Sequence, residues 1–145
     1  MPYKNKIIKS STPKTSNVSA SSHFYVGFST INSKTSGSKI YDFELIKQNL
    51  INHFNTRPGE RVMNPAFGSV IWAMIFEPLT ESTRQIIEQD IVNICKSDPR
   101  VYPTQINIRE YDQGYLIELT LVTKVTNQSS NLSLAFDQQT GLQAQ

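Results

Sequence analysis

The sequence predicts an α+β domain, a small antiparallel sheet with helices packed on one of its faces. Three observations carry that expectation. Apolar residues recur at helical spacing in two stretches, 43–54 and 86–95. Apolar and polar residues alternate over 105–111 and 115–123, on either side of Asp112-Gln113-Gly114. The helical stretches come first and the strands last, the order of a layered α+β body.

The length, 145 residues, is that of about one domain with room for a real core. The apolar fraction of 38% is slightly low, which predicts a folded body joined to an extended part. Charge divides the chain in the same way. Residues 1–40 carry six lysines and no acid, a charge of +6, and residues 41–145 carry −4, giving the net +2. Residues 1–40 therefore read as a basic, largely extended N-terminal arm, 41–137 as the folded domain and 138–145 as a frayed end. No apolar run is long enough to span a bilayer. Met1-Pro2-Tyr3-Lys4 leads into no apolar signal core, so export by a signal peptide is not expected. The single cysteine, Cys95, excludes an internal disulfide and reads as a small buried hydrophobe.

Within the arm, Phe24-Tyr25-Val26-Gly27-Phe28 is an aromatic island expected to pack on this body or on a partner. Asp42 reads as the N-cap of a helix to about Phe54. Its buried stripe is Phe43, Ile46, Leu50 and Phe54, and its wet face is Glu44, Lys47, Gln48 and Asn52. Pro58-Gly59 breaks the chain, Glu60 to Met63 is a candidate short strand, and Asn64-Pro65 turns again. Val70 to Phe76, with Trp72, reads as a buried short helix ended by Glu77-Pro78. Thr80 caps the next helix, with Glu81 in its first turn. Ile87, Ile91 and Ile94, widened by Ile86 and Cys95, mark its buried side. Pro99 stops it, because a residue before proline avoids helical angles. A meander follows: Gln105 to Tyr111, a three-residue loop with Gly114 in the left-handed position, Tyr115 to Thr123, and a third strand marked by Leu132, Leu134 and Phe136. An edge at Leu132 to Phe136, or at the opposite side, is expected to stay open to another chain.

The chemistry-bearing patterns are sparse. His23 and His53 are the only histidines, and no His/Cys/Asp cluster has ligand spacing, so no metal or cofactor is expected. No Gly-x-Ser-x-Gly elbow or phosphate-cradling glycine loop occurs. Glu60, Glu77, Glu81 and Asp98 lie near turns, where a glycosidase acid pair could sit, but turns and caps hold carboxylates anyway. Arg57, Arg61 and Arg100 stand out. Their planar guanidinium groups suit bidentate pairing, and turns hold them. They form either an internal network, for example Arg100 with Glu60 or Glu77, or a surface for a partner.

The run FNTRPGERVMNPAFGSVIW, the helix PLTESTRQIIEQDI and the close SDPRV resemble the gene-25-like baseplate wedge family of contractile-tailed phages, which has relatives in type VI secretion baseplates. The resemblance covers roughly Phe24 to Phe136. It implies a non-enzymatic structural protein of the virion's tail baseplate, assembled in the host cytoplasm. The partners implied are the wedge core proteins and the tail sheath subunit, with tail tube or hub proteins as further candidates. It implies neither a membrane nor a nucleic-acid partner, and the body's negative charge also argues against the latter. The family's usual Glu-Pro-Arg, which docks on the wedge core bundle, is Asp98-Pro99-Arg100 here. The meander would initiate the sheath by strand addition. The residues so marked for partners are Arg57, Glu60, Arg61, Phe67, Asp98, Pro99, Arg100, Leu132, Leu134, Phe136, Phe24, Tyr25 and Phe28. The family's lysozyme label gives the alternative, a peptidoglycan-degrading enzyme. No residue here requires it.

Overall fold

A computed structural model describes residues 23–31 and 37–144. Expectations that fall on residues 1–22, 32–36 and 145 lie outside the described residues. Among the described residues nine elements follow one another: β1 (Val26–Phe28), β2 (Lys39–Tyr41), α1 (Asp42–Asn55), α2 (Ile71–Met74), α3 (Glu81–Ser97), β3 (Val101–Tyr111), β4 (Gly114–Thr123), β5 (Ser129–Asp137) and β6 (Gly141–Ala144). β3 to β6 form one antiparallel sheet in sequence order, and β1 with β2 form a second, two-stranded one. The α+β expectation holds.

The core lies between the large sheet and its helices. Alternation on β4 turns Tyr115, Ile117, Leu119 and Leu121 inward. Ile117 faces Ile108 on one side and Leu134 on the other, and Leu119 faces Ile106 and Leu132. Against this layer pack Ile46, Leu50 and Phe54 of α1, Ile71 of α2, and Ile87, Ile91, Ile94 and Cys95 of α3. Phe136 receives the edges of Phe54 and Trp72, at 6.4 and 5.2 Å between centroids. Burial pushes the Cys95 thiol up to about 12, with Asp98 adding to the shift, so it is the inert hydrophobe expected. Thr80 caps α3 as expected, its hydroxyl accepting from the Thr83 amide at 3.3 Å. No helix among the described residues is long and apolar enough to cross a membrane.

Several local expectations are corrected. Asp42 does not cap α1: it opens the helix at φ +44°, and its carboxylate turns back to the arm. Gln48 is buried rather than wet, because α1 is covered on a second side by the β1–β2 hairpin. Ile86 is exposed, so the apolar stripe of α3 stops short of it. Glu60 to Met63 forms turns, not a strand. Tyr111 pairs with Gly114, which leaves a two-residue loop. Gly114 is needed there for space, since a Cβ would overlap the Phe136 carbonyl. The end is not frayed. Gly141 to Ala144 pairs with Asp137 to Leu134, and Gln138 is tied to the Gln113 and Ile75 carbonyls at 3.0 and 2.8 Å. Its pattern of four short, mixed residues after a polar run carries too little alternation to read as a strand.

Candidate functional site

The site begins with a loop, residues 56–69, closed at its neck by the Ser69 amide donating to the Thr56 carbonyl at 2.9 Å. Gly68 sits in that neck at φ +136°, and a Cβ would lie 2.6 Å from the Arg57 carbonyl carbon, so only glycine fits. Three turns run inside the loop, and the Gly59 amide reaches the Pro65 carbonyl at 2.8 Å. Glu60 accepts from the Arg57 amide at 2.8 Å, as a local clasp rather than a long-range ion pair. Below the neck, Ser69 and the Val70 amide bind the Asp90 carboxylate at 2.7 and 3.0 Å and moor the loop to α3. Burial raises Asp90 above its ordinary value, against the pull of those two donors.

Aromatic faces carry the arginines. The Arg61 guanidinium lies 3.6 Å from the centroid of Phe67, whose other side stacks on His53 at 3.8 Å. Burial, and then the Arg61 charge, push His53 below its ordinary value, which leaves the imidazole neutral at pH 7. Arg57 lies 5.3 Å from the Trp72 ring, and Trp72 is itself fixed by its Nε1 donating to the Phe54 carbonyl at 2.8 Å. At the tip, Val62 and Met63 are 93% and 96% exposed. The sequence reading missed them as surface features by assigning them to a strand. The signal was available: two apolar residues stood between two turn-forming pairs.

The corner after α3 lies across a groove from this loop. Asp98 Oδ1 accepts from Arg100 Nε at 2.8 Å and Oδ2 from Nη2 at 2.5 Å, a bidentate pair closed within two residues. Burial would raise the Asp98 carboxyl, but the Arg100 hydrogen bonds and charge outweigh it and hold the group below its ordinary value. Arg100 thus pairs with Asp98, not with Glu60 or Glu77. Its guanidinium also lies 5.4 Å from the Tyr25 ring. The groove of about 400 Å³ between loop and corner is lined by His53, Arg61 and Phe67 on one side and Asp98, Pro99 and Arg100 on the other. Two motifs that are thirty residues and more apart in the chain therefore share one concavity.

Other marked residues are placed elsewhere. Leu132, Leu134 and Phe136 point into the core and are fully buried, so their side chains are not a partner surface. The backbone of Leu134 and Phe136 is already paired by β6. Phe28 on β1 and Phe24 just before it are exposed, while Tyr25 packs inward against the body. Among the described residues no group of His, Cys, Asp or Glu could hold a metal ion.

The fold and groove define a small α+β body with surfaces built in turns, and known proteins place it. The crystal structure of a candidate tail lysozyme from Geobacter sulfurreducens is similar, with 26% identity over 65% of this chain and 88% of that one, at a TM-score of 0.58. A chain of the anti-feeding prophage baseplate, from a six-fold symmetrised cryo-EM structure, is also similar. It has 26% identity over 68% of this chain and 80% of that one, at a TM-score of 0.54. No curated protein matches. The family model of the baseplate wedge protein gp25 matches residues 42–128. The chain belongs to that family and is a structural component of a tail baseplate.

Proposed function

We propose that this chain docks on the wedge core through the groove and the loop tip, and initiates the sheath by accepting a strand at its sheet margin. It acts by assembly, not catalysis, and joins its partners in the host cytoplasm. The observation that carries the reading is the asymmetry of the two sheet margins. The β3 margin is blunted by Pro103, by an irregularity between Pro103 and Gln105, and by Arg84 Nη1, which donates to the Ile108 carbonyl at 3.3 Å. The other margin is open. β6 pairs only with residues 134–137 of β5, and residues 129–132 have no described strand beyond them. An incoming strand would gain main-chain hydrogen bonds there.

Reconstitution with candidate wedge and sheath subunits, read by electron microscopy, tests both halves. Asn131→Pro removes a donor that points away from β4 in the open half of β5 and should prevent sheath nucleation while wedge docking persists. Met63→Asp, at the loop tip, should do the reverse. Sheath rings that nucleate equally well on Asn131→Pro would overturn the strand-addition half. The lysozyme-like reading predicts soluble fragments from purified peptidoglycan, and their release by the wild-type chain would overturn the non-enzymatic one. Asp98, locked on Arg100 with its carboxyl held down, is the wrong kind of group for a glycosidase acid.

A further inference from the structure

The two halves of β5 differ in what lies beside them. At its ends the Thr123 amide donates to the Gln128 carbonyl and the Gln138 amide to the Gln113 carbonyl, both at 3.0 Å and both on the β4 side. Backbone bonds alternate sides along an antiparallel strand. Ser130, Leu132, Leu134 and Phe136 therefore bond to β4, and Ser129, Asn131, Ser133, Ala135 and Asp137 turn their N–H and C=O groups away from it. β6 meets the far part of that outward row, with Gln143 opposite Ala135 and Gly141 opposite Asp137. Among the described residues no strand lies beside Ser129 and Asn131.

β6 is lightly held. Leu142 packs against the core, opposite Phe136, while Gln143 and Ala144 are exposed. Gly141 leads into the strand at φ +81°, with open space where a Cβ would stand. The turn before it is organised from the β5 side, by Asp137 Oδ1 accepting from the Gln139 amide at 2.6 Å and the Thr140 amide at 3.0 Å. Gln138 anchors the end of β5 through the Gln113 and Ile75 carbonyls, neither of which belongs to β6. β6 can therefore swing out at Gly141 and leave β5 in place.

We propose that β6 is a placeholder, and that an extended segment of another polypeptide displaces it and pairs along the whole of β5. Length separates this from simple addition. Beside an intact β6 a newcomer meets residues 129–132, about 13 Å of strand with two outward-bonding residues. With β6 displaced it meets residues 129–137, about 30 Å with five. Only the pairing of Gly141 and Gln143 and the Leu142 contact are lost in exchange. The register also sets the occupant's pattern. Positions opposite Leu132, Leu134 and Phe136 lie on the core side and take apolar side chains, where β6 offers Leu142 and Ala144 alone. Positions opposite Asn131, Ser133 and Ala135 lie on the other face and take small or polar ones. The inference rests on the strand-addition reading and adds to it the extent of the surface and the sequence pattern of the incoming strand.

A nitroxide attached at Ala144→Cys in the full chain tests it, because the buried thiol of Cys95 leaves the added one to take the label. The probes are a nine-residue peptide alternating threonine with valine and leucine, a four-residue peptide of the same pattern, and a nine-residue peptide of the same composition with its apolar residues in one block. The long alternating peptide should sharpen the spectrum as the label leaves the sheet, and should bind at least tenfold more tightly than either of the others. Gln143→Pro removes the N–H that faces Ala135, so it should tighten binding of the long peptide threefold or more. Asn131→Pro should weaken it tenfold or more. Four results would each overturn the exchange: no saturable binding of the long peptide, binding with the label still immobilised, equal binding of the short peptide, or no gain in Gln143→Pro. Failure of the strand-addition reading is seen separately, in sheath rings that still nucleate on Asn131→Pro. Loss of nucleation there beside any of the four results would leave addition standing and exchange refuted.

Discussion

The large sheet and the hairpin are both antiparallel and both alternate, yet they direct their apolar side chains oppositely. On β4 and β5 the apolar set faces the helices and is fully buried. Along β1 and its flanks Phe24, Val26 and Phe28 face away, and Tyr25, Gly27 and Ser29 face the body. Period-two patterning fixes which residues share a face, but the partner layer decides which face is inside. In the large sheet that layer is the chain's own helices. In the hairpin, α1 accepts only a thin inner face, and the Phe24 and Phe28 rings remain outside while that of Tyr25 packs inward.

Four substitutions would break or sharpen this contrast. The largest effect is expected from Ile117→Ala, at the centre of the large sheet, which should lower unfolding free energy by about 2–5 kcal/mol in urea titration. Asp98→Asn acts at the joint between the sheets, where Arg100 touches Tyr25. It should cost about 1–2 kcal/mol at pH 7 by weakening a charged hydrogen-bond pair. Its pH dependence has a definite sign. The folded carboxyl lies below its ordinary value of 3.8. Its stabilisation is therefore complete above pH 3.8 and is lost as pH falls through the lowered value, so the variant should show a flatter acid limb. His53, held below 6.5 by burial and Arg61, loses stability in the same direction as pH falls below 6.5, and that limb should survive in Asp98→Asn. Gln48→Ala should cost about 1 kcal/mol, because it leaves the Phe28 carbonyl and Thr30 amide without that partner. Val26→Ala, on the outer face, should change stability by less than about 0.5 kcal/mol, despite removing as much apolar bulk as many core changes. A large loss there would mean that the hairpin's outer face is covered within the chain.

Much of this was legible in the sequence, for reasons that can be named. Ile87, Ile91 and Ile94 repeat at helical spacing, and Thr80 and Pro99 bracket them with local signals. Helix α3 therefore needed no tertiary information. Ile117, Leu119 and Leu121 alternate, and β4 followed. Asp42 misled because a residue suited to capping its own helix was recruited by the Phe24 amide eighteen residues upstream, just before β1. Gln48 misled because polarity predicts solvent, whereas its amide serves as a substitute strand edge. β6 was invisible because its pairing is supplied by β5 and not by its own pattern. The groove was half legible. The turn residues and arginines of 57–67 announced a built loop, and Asp98-Pro99-Arg100 announced a corner. That they face one another depends on how α1 and α3 cross, and no local spacing encodes that.

The bidentate closure of Arg100 on Asp98 has a consequence for association kinetics. A guanidinium neutralised by its neighbour projects little long-range field, so encounters at that corner gain little from electrostatic steering. Docking there should be governed by dissociation, and its rate constants should be nearly indifferent to added sodium chloride.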